Sequence, residues 1–125
     1  MANDKILYRE LSYQIMQAAF EVHNTLGPGF LESIYEEVLS NELSRQQIAF
    51  EHQKQIVVYY KGQTVGKHCL DLVIDNKIII ELKAVQALND IFKQQTLSYL
   101  KATGLRLGIL LNFGTPKVQA IRIVN

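Results

Sequence analysis

Two short apolar segments joined by a polar turn constrain the fold of this chain more than any other feature. The pattern predicts strands at about residues 64–74 and 78–83, with the turn Asp75-Asn76-Lys77 between them. Apart from a few ionisable residues, both strands are apolar on both faces around this turn. That pattern is typical of central strands that are covered on both sides of a sheet. The chain is therefore expected to build a buried sheet.

The rest of the chain separates into segments of helical and of strand periodicity. Apolar residues at i, i+3 and i+4 predict helices at about residues 8–26 and 30–47, separated by Gly27-Pro28-Gly29. The apolar stripe of the second helix comprises Leu31, Ile34, Tyr35, Val38, Leu39 and Leu43. Later segments predict a strand at 55–60, a hairpin turn at 61–63, a helix from Asn89 or Asp90 to about 103, a buried strand at 107–111 and an exposed one at 118–124.

The predicted order is α-α-β-β-β-α-β-β. A chain of 125 residues is expected to form one domain, residues 1–125, around one core. The strands at 78–83 and 107–111 flank a helix, which predicts a right-handed crossover and a parallel pair. We therefore expect an α/β domain with a mixed β-sheet flanked by helices.

Composition excludes several classes of protein. Thirteen basic against twelve acidic residues leave a net charge of +1, unlike a strongly basic nucleic-acid coat. Apolar runs are far shorter than the roughly 20 residues of a membrane span, so no membrane partner is expected. Asp4, Lys5, Arg9 and Glu10 interrupt any signal peptide. The single cysteine, Cys69, cannot close an intrachain disulfide; we expect a cytoplasmic protein, with Cys69 as a small buried hydrophobe.

Three ionisable residues stand inside the apolar strands: Asp71 in the first, Glu81 and Lys83 in the second. Side chains alternate along a strand, so Glu81 and Lys83 share one face. A two-residue loop would pair Asp71 with Ile80 and set Glu81 on the opposite face. A three-residue loop at residues 75–77 pairs Asp71 with Glu81. We predict the longer loop or an equivalent bulge, because it gathers the three ionisable groups on one side.

These residue types are suited to metal-assisted chemistry. Two neighbouring carboxylates in a sheet repel each other and lose hydration, which costs stability unless a cation binds between them. Such oxygen ligands suit Mg²⁺ or Mn²⁺. Lys83 can then orient or deprotonate a water, or neutralise charge on a phosphoryl group. The ordinary structural alternative is an ion pair of Lys83 with Glu81 or Asp71 at a strand end, and so short a pattern also arises by chance.

Two of the predicted helices carry further candidates. Helical spacing puts Glu32 at the edge of the apolar stripe, from where it can reach a metal; the alternative is a favourable charge at the helix start. Gln95 lies on the apolar face between Phe92 and Tyr99, and its tip can act together with that of Tyr99. Gln95 then contacts the attacking water or a phosphate, or it is a hydrogen-bonded core glutamine.

Several segments together resemble one small bacterial and archaeal protein family. Gly29, Glu32 and Tyr35 fit the GxxExxY signature after which that family is named. His23 with residues 26–29 looks like its lead-in, and its other blocks are similar to residues 71–74, 80–85, 99–105 and 111–114. The resemblance covers the chain from roughly residue 22 to its end.

That family is grouped with the PD-(D/E)XK nuclease superfamily, so the resemblance implies its fold and Mg²⁺-dependent hydrolysis of phosphodiester bonds. By position, Asp71 matches the metal-binding aspartate, Glu81-Leu82-Lys83 the (D/E)xK element and Glu32 the acidic helix residue. Residues 95–99 resemble the QxxxY element of the RecB-like branch. The resemblance thus implies Asp71, Glu81, Lys83 and Gln95 as catalytic residues, Glu32, Asp71 and Glu81 as metal ligands, and Tyr35, Tyr99 and His23 as supporting residues.

The chain departs from the family pattern at two positions. Leu70 stands where the superfamily has its eponymous proline, and Cys69 stands near a position that is often basic in the family. Loss of that positive charge weakens contact with a phosphate. His23 either lines the site, as a histidine does in RecB-like enzymes, or caps the end of the first helix.

Two hypotheses of different class remain. The first is a metal-dependent nuclease that acts on DNA, with RNA as the second candidate. The other is a non-catalytic binding or assembly module that works with a partner protein, because the domain is small, nearly neutral and lacks an added basic arm or recognition helix. Two carboxylates, a lysine and a glutamine directed at one place favour catalysis. A homodimer through Tyr59-Tyr60 or the last strand would widen the binding surface.

Overall fold

The computed structural model describes residues 6–125, which form three helices and five strands in the predicted order. The elements are α1 Arg9–Leu26, α2 Glu32–Arg45, β1 Phe50–Tyr60, β2 Gln63–Ile74, β3 Ile78–Lys83, α3 Asp90–Thr103, β4 Leu107–Asn112 and β5 Gln119–Val124. Strand β1 begins at Phe50, earlier than predicted. Asp4 and Lys5, on which part of the prediction for the N-terminus rested, lie outside the described residues.

The ends of the helices follow local sequence signals. Gly27 ends α1 and Gly104 ends α3 with positive φ angles of 68° and 76°, a conformation that glycine adopts without steric cost. At the start of α3, the side chain of Asn89 accepts a hydrogen bond from the backbone N–H of Ile91. These residues act as the sequence predicts.

The five strands form one mixed sheet in the order β1-β2-β3-β4-β5. Strands β3 and β4 run parallel, whereas the other neighbouring pairs are antiparallel. The predicted parallel pair is therefore confirmed. Strands β1 and β5 form the two edges, and β3 and β4 lie inside the sheet with almost every residue buried.

Helices cover both faces of the sheet. Helices α1 and α2 pack on one face, where the larger hydrophobic cluster includes Leu39, Leu72 and Ile80. Helix α3 packs on the other face, where the smaller cluster includes Leu70 and Leu100. We call these the α1/α2 layer and the α3 layer. The α/β class predicted from the sequence is thus confirmed. Among residues 6–125, no helix combines the length and the apolar character that crossing a membrane requires.

The buried face of α2 differs from the predicted stripe. It comprises Tyr35, Glu36, Leu39, Ser40 and Leu43. Leu31 is 76% exposed and Ile34 is 42% exposed, so their predicted burial is wrong. Leu31 precedes the helix with extended backbone angles, and the helix is rotated so that Glu36 faces the sheet.

Candidate active site

The turn between β2 and β3 has the predicted three-residue form. Asp75 and Asn76 adopt left-handed φ angles of 51° and 54°, and the N–H of Lys77 donates to the carbonyl of Ile74 at 2.9 Å. Ile74 therefore pairs with Ile78, and the ladder continues to the pair Leu72 and Ile80. The prediction of a three-residue loop is confirmed.

One residue beyond this ladder, the register sets Asp71 opposite Glu81, and carboxylates replace the backbone pairing. The N–H of Asp71 donates to Oε2 of Glu81 at 3.1 Å. The N–H of Leu82 donates to Oδ2 of Asp71 at 2.9 Å. Each carboxylate thus takes a hydrogen bond from the opposite strand, and both acidic groups meet in the gap between β2 and β3.

The regular alternation of side chains is interrupted on β2 at Asp71 and on its neighbour β1 at Gln53. Leu70 and Leu72 would share a face in a regular strand, yet Leu70 belongs to the α3 layer and Leu72 to the α1/α2 layer. On β1, Gln53 stands opposite Asp71 in the register and has a left-handed φ of 54°. The irregularity is therefore shared by two neighbouring strands, and it lies at the proposed metal-binding aspartate.

Burial and like charges raise the pKa of both acidic groups. Burial is the largest cause for Asp71, whose pKa rises from 3.8 to about 6, with further contributions from Glu36 and Glu32. The pKa of Glu81 rises from 4.5 to about 8, first because of burial and second because of the charge of Asp71. Lys83 and the backbone hydrogen bonds oppose both shifts. Burial and the like charges outweigh these opposing effects, so the net shift of both pKa values is upward.

This donor set fits a hard divalent cation. Asp71 and Glu81 offer carboxylate oxygens in a partly buried gap, and a cation there would relieve the repulsion that raises their pKa values. Within residues 6–125, however, no group of three or more His, Cys, Asp or Glu side chains is close enough for one ion. The structure thus brings two of the three predicted ligands together and leaves Glu32 outside.

Lys83 lies beside these carboxylates without pairing with them. Its Nζ is 4.4 Å from the centroid of the Phe92 ring on α3, a cation–π contact. It lowers the pKa of both Asp71 and Glu81, which places its charge near them. Among the described residues it forms no ion pair, so the ion-pair alternative considered for Lys83 is not observed.

Helix α2 carries two acidic residues whose negative charges act on Asp71. Glu32 begins the helix, is exposed and raises the pKa of Asp71. Glu36, which the sequence analysis did not single out, is buried and accepts hydrogen bonds from Nε2 of both His52 and Gln53. Its position next to Tyr35 and four residues after Glu32 is the signal that could have identified it.

Helix α3 faces the site with Tyr99. The Tyr99 ring stacks on His68 of β2 with a centroid distance of 4.1 Å, and burial followed by the charges of Glu81 and Asp71 raises its pKa. Gln95 lies between Phe92 and Tyr99 along the helix but is exposed, so of its two alternatives the hydrogen-bonded core glutamine is not observed. The buried side chains of this helix are those of Thr96 and Leu100.

Two predicted supporting residues are structural in this fold. The hydroxyl of Tyr35 donates to the carbonyl of Gly27 at 2.6 Å and accepts from the N–H of Phe30 at 3.2 Å, which fixes the loop before α2. His23 is buried, with Nε2 2.9 Å from the carbonyl of Thr115. Both residues lie in the chain of stacked rings around Phe113, so their nearest polar partners are backbone groups rather than the carboxylates.

The prediction that Cys69 is buried is wrong. It is exposed, and its thiol donates to Oε1 of Gln53 at 3.2 Å. Leu70 beside it is fully buried in the α3 layer. Cys69 therefore lies on the opposite face of β2, on the side of Gln53.

Comparison with known proteins identifies the fold independently. A family model described as the PD-(D/E)XK nuclease superfamily matches residues 9–123. Among solved structures, the crystal structure of SSO0001 is similar, with a TM-score of 0.62 and 22% sequence identity. This likeness covers 74% of the present chain but 49% of SSO0001, so the chain spans about half of that protein's length. At such identity the likeness shows the fold alone. No curated protein matches the chain.

Proposed function

Because the chain belongs to the PD-(D/E)XK nuclease superfamily, we propose that it is a metal-dependent nuclease that hydrolyses phosphodiester bonds in DNA, with RNA as the second candidate substrate. The observation that carries this proposal is the meeting of Asp71 and Glu81 in the gap between β2 and β3, beside Lys83. The narrower GxxExxY group and a cytoplasmic location belong to the same proposal. Residues 29–35 and the single cysteine support them.

Asp71 and Glu81 would hold a Mg²⁺ or Mn²⁺ ion, which when bound lowers the pKa of a water and stabilises charge on the scissile phosphate. Lys83 has no carboxylate partner within residues 6–125, so its ammonium group can orient a water or bind a phosphate oxygen. Gln95 is exposed on the side of α3 that carries Phe92 and Tyr99, from where its amide can contact water or substrate. Glu32 stays a predicted third ligand.

A cleavage assay with matched variants tests this function. We expect Mg²⁺- or Mn²⁺-dependent cleavage that EDTA abolishes, and at least about a hundredfold loss in Asp71→Asn and Lys83→Ala, a usual cost of removing one electrostatic catalytic group. Asp75→Asn and Lys77→Ala are the controls, since both residues are exposed in the adjacent turn. Unchanged cleavage by Asp71→Asn or Lys83→Ala would contradict the proposal.

One observation favours a non-catalytic module as the second candidate. Asp71 and Glu81 each bind a backbone N–H across the gap, and no third ligand lies beside them within residues 6–125. In this alternative, the two carboxylates hold β2 and β3 together through these hydrogen bonds and bind no metal ion. Folded wild-type protein that neither cleaves DNA or RNA nor binds Mn²⁺ would support this alternative.

A further inference from the structure

Strands β1 and β2 extend beyond the rest of the sheet as a two-stranded ribbon. Strand β2 pairs with β3 only from Leu72 to Ile74, whereas its earlier residues pair with β1 alone. We call residues 54–70 the arm. All residues from 59 to 67 are exposed. The predicted hairpin around residues 61–63 is therefore present, and its outer residues 59–67 project from the sheet, which the expectation of no added basic arm did not include.

The charge of the arm has one sign. Lys54, Lys61 and Lys67 lie in it, and no acidic residue occurs between Glu51 and Asp71. Lys54 is paired with Glu51 at 2.7 Å, but Lys61 and Lys67 have no acidic partner among the described residues. The whole chain carries thirteen basic and twelve acidic residues, so acids outnumber bases in the remainder. A nearly neutral protein thus concentrates free positive charge on one projection.

Exposed aromatic rings accompany this charge. Tyr59 is 64% exposed and Tyr60 is 63% exposed. At the tip, Nζ of Lys61 lies 5.3 Å from the centroid of the Tyr60 ring. Aromatic rings beside cations suit nucleic acid, because the rings stack on bases while the cations contact phosphates. Bases offer their flat faces to a side chain only where they are unpaired.

The arm leads directly to the candidate active site. Strand β2 runs without interruption from the tip to Asp71, and His68 at the base of the arm stacks on Tyr99. At about 3.3 Å per residue, the exposed tip lies roughly 25 Å from the carboxylates along the strand. An extended nucleic-acid strand that enters the gap between β2 and β3 can therefore follow the arm.

We propose that the arm holds the nucleic-acid substrate, with Tyr59 and Tyr60 stacking on unpaired bases and Lys61 and Lys67 contacting phosphates. The inference rests on the proposed function and names its substrate class: strands with single-stranded segments. A second copy of the chain is the less favoured occupant, since paired arms would bring lysines of like charge together.

Fluorescence anisotropy in EDTA measures this binding without cleavage. The probes are a fluorescein-labelled DNA strand, an RNA strand of the same sequence and the corresponding DNA duplex. The double variant Tyr59→Ala/Tyr60→Ala should bind the single strands at least about fivefold more weakly, as expected for the loss of base stacking. The matched control is Tyr13→Ala, a tyrosine that is 61% exposed on α1.

The charge variant has its own readout. Lys61→Gln/Lys67→Gln should reduce the slope of log affinity against log salt by about 1.4, since each single-strand phosphate contact contributes about 0.7. Lys101→Gln/Lys117→Gln, at exposed positions elsewhere, should leave the slope unchanged. All four positions are exposed, so the variants should fold, and circular dichroism checks this.

The outcomes separate the two proposals. Loss of single-strand binding in the arm variants supports the arm even when wild-type protein does not cleave, in which case the nuclease proposal alone fails. If the arm variants bind the single strands as tightly as wild-type protein does, the proposed role of the arm is wrong. It is also wrong if wild-type protein binds no strand or prefers the duplex. A dimer that becomes monomeric in the arm variants, with unchanged affinity for the strands, would assign the arm to self-association.

Discussion

The pair of acidic residues in the gap makes folding sensitive to protonation. Glu81 is buried, and its pKa of about 8 lies above the ordinary value of 4.5 because of burial and the neighbouring Asp71. In metal-free protein, burial and the neighbouring Asp71 therefore favour the protonated form of Glu81. A carboxyl group whose pKa is higher in the folded state than in the unfolded state stabilises the fold below the unfolded pKa. It loses that contribution as the pH rises through the folded pKa.

We predict that the free energy of unfolding in EDTA falls as the pH rises from about 4.5 to about 8, by up to roughly 1.4 kcal/mol per pH unit. In Glu81→Gln this decrease should be smaller, because an amide keeps the acceptor for the N–H of Asp71 but does not titrate. Urea denaturation across this pH range measures the effect, with Glu51→Gln as the exposed control. The same decrease in Glu81→Gln and wild-type protein would show that another group causes it.

Beyond single residues, the end of β3 is held by Asn112, the last residue of β4. The amide of Asn112 accepts from the N–H of Val85 and donates to its carbonyl, both at 3.0 Å, and also donates to Gln119 at 3.0 Å. Its oxygen accepts from the N–H of Gly114 at 3.1 Å. Since Val85 follows Lys83 by two residues, this bonding fixes the strand end that carries the lysine.

At Gly114 the chain after β4 passes close to the backbone of Ala84 and Val85. A methyl group there would overlap the backbone of Ala84 and Val85, which cannot move away as a flexible side chain can. We predict that Gly114→Ala lowers the free energy of unfolding by about 2 kcal/mol or more. Gly66→Ala in the arm is the control, because the added methyl group would meet no heavy atom of the described residues within 4 Å. Urea denaturation measures both variants, and equal free energies of unfolding for Gly114→Ala and Gly66→Ala would refute this prediction.

For the whole molecule, cation binding and folding are coupled through the gap between β2 and β3. We predict that Mn²⁺ raises the melting temperature of wild-type protein, with about 2.7 kcal/mol of stabilisation at a hundredfold excess over Kd. The effect should grow with pH between about 6 and 8, where Asp71 and Glu81 lose their protons. Asp71→Asn should remove it, whereas Asp75→Asn should not. A shift of equal size in Asp71→Asn would place the ion elsewhere.

The sequence by itself determined the features that depend on neighbours along the chain. Glycine at the helix ends, the three-residue turn and the apolar runs predicted the order of elements, the parallel pair and the opposition of Asp71 and Glu81. These features follow from local backbone preferences and from the period of apolar residues, which are the same in any fold that contains the segment.

Only the tertiary structure decided what depends on neighbours in space. Periodicity assumes regular strands and helices, so it missed the break at Gln53 and Asp71 and the rotation of α2 that buries Glu36. It also placed Cys69 in the core, although that residue is exposed. The arm projects because β1 and β2 are longer than the strands beside them. Burial and charge at a site depend on which elements cover it, and that information is not carried by the spacing of residues along one segment.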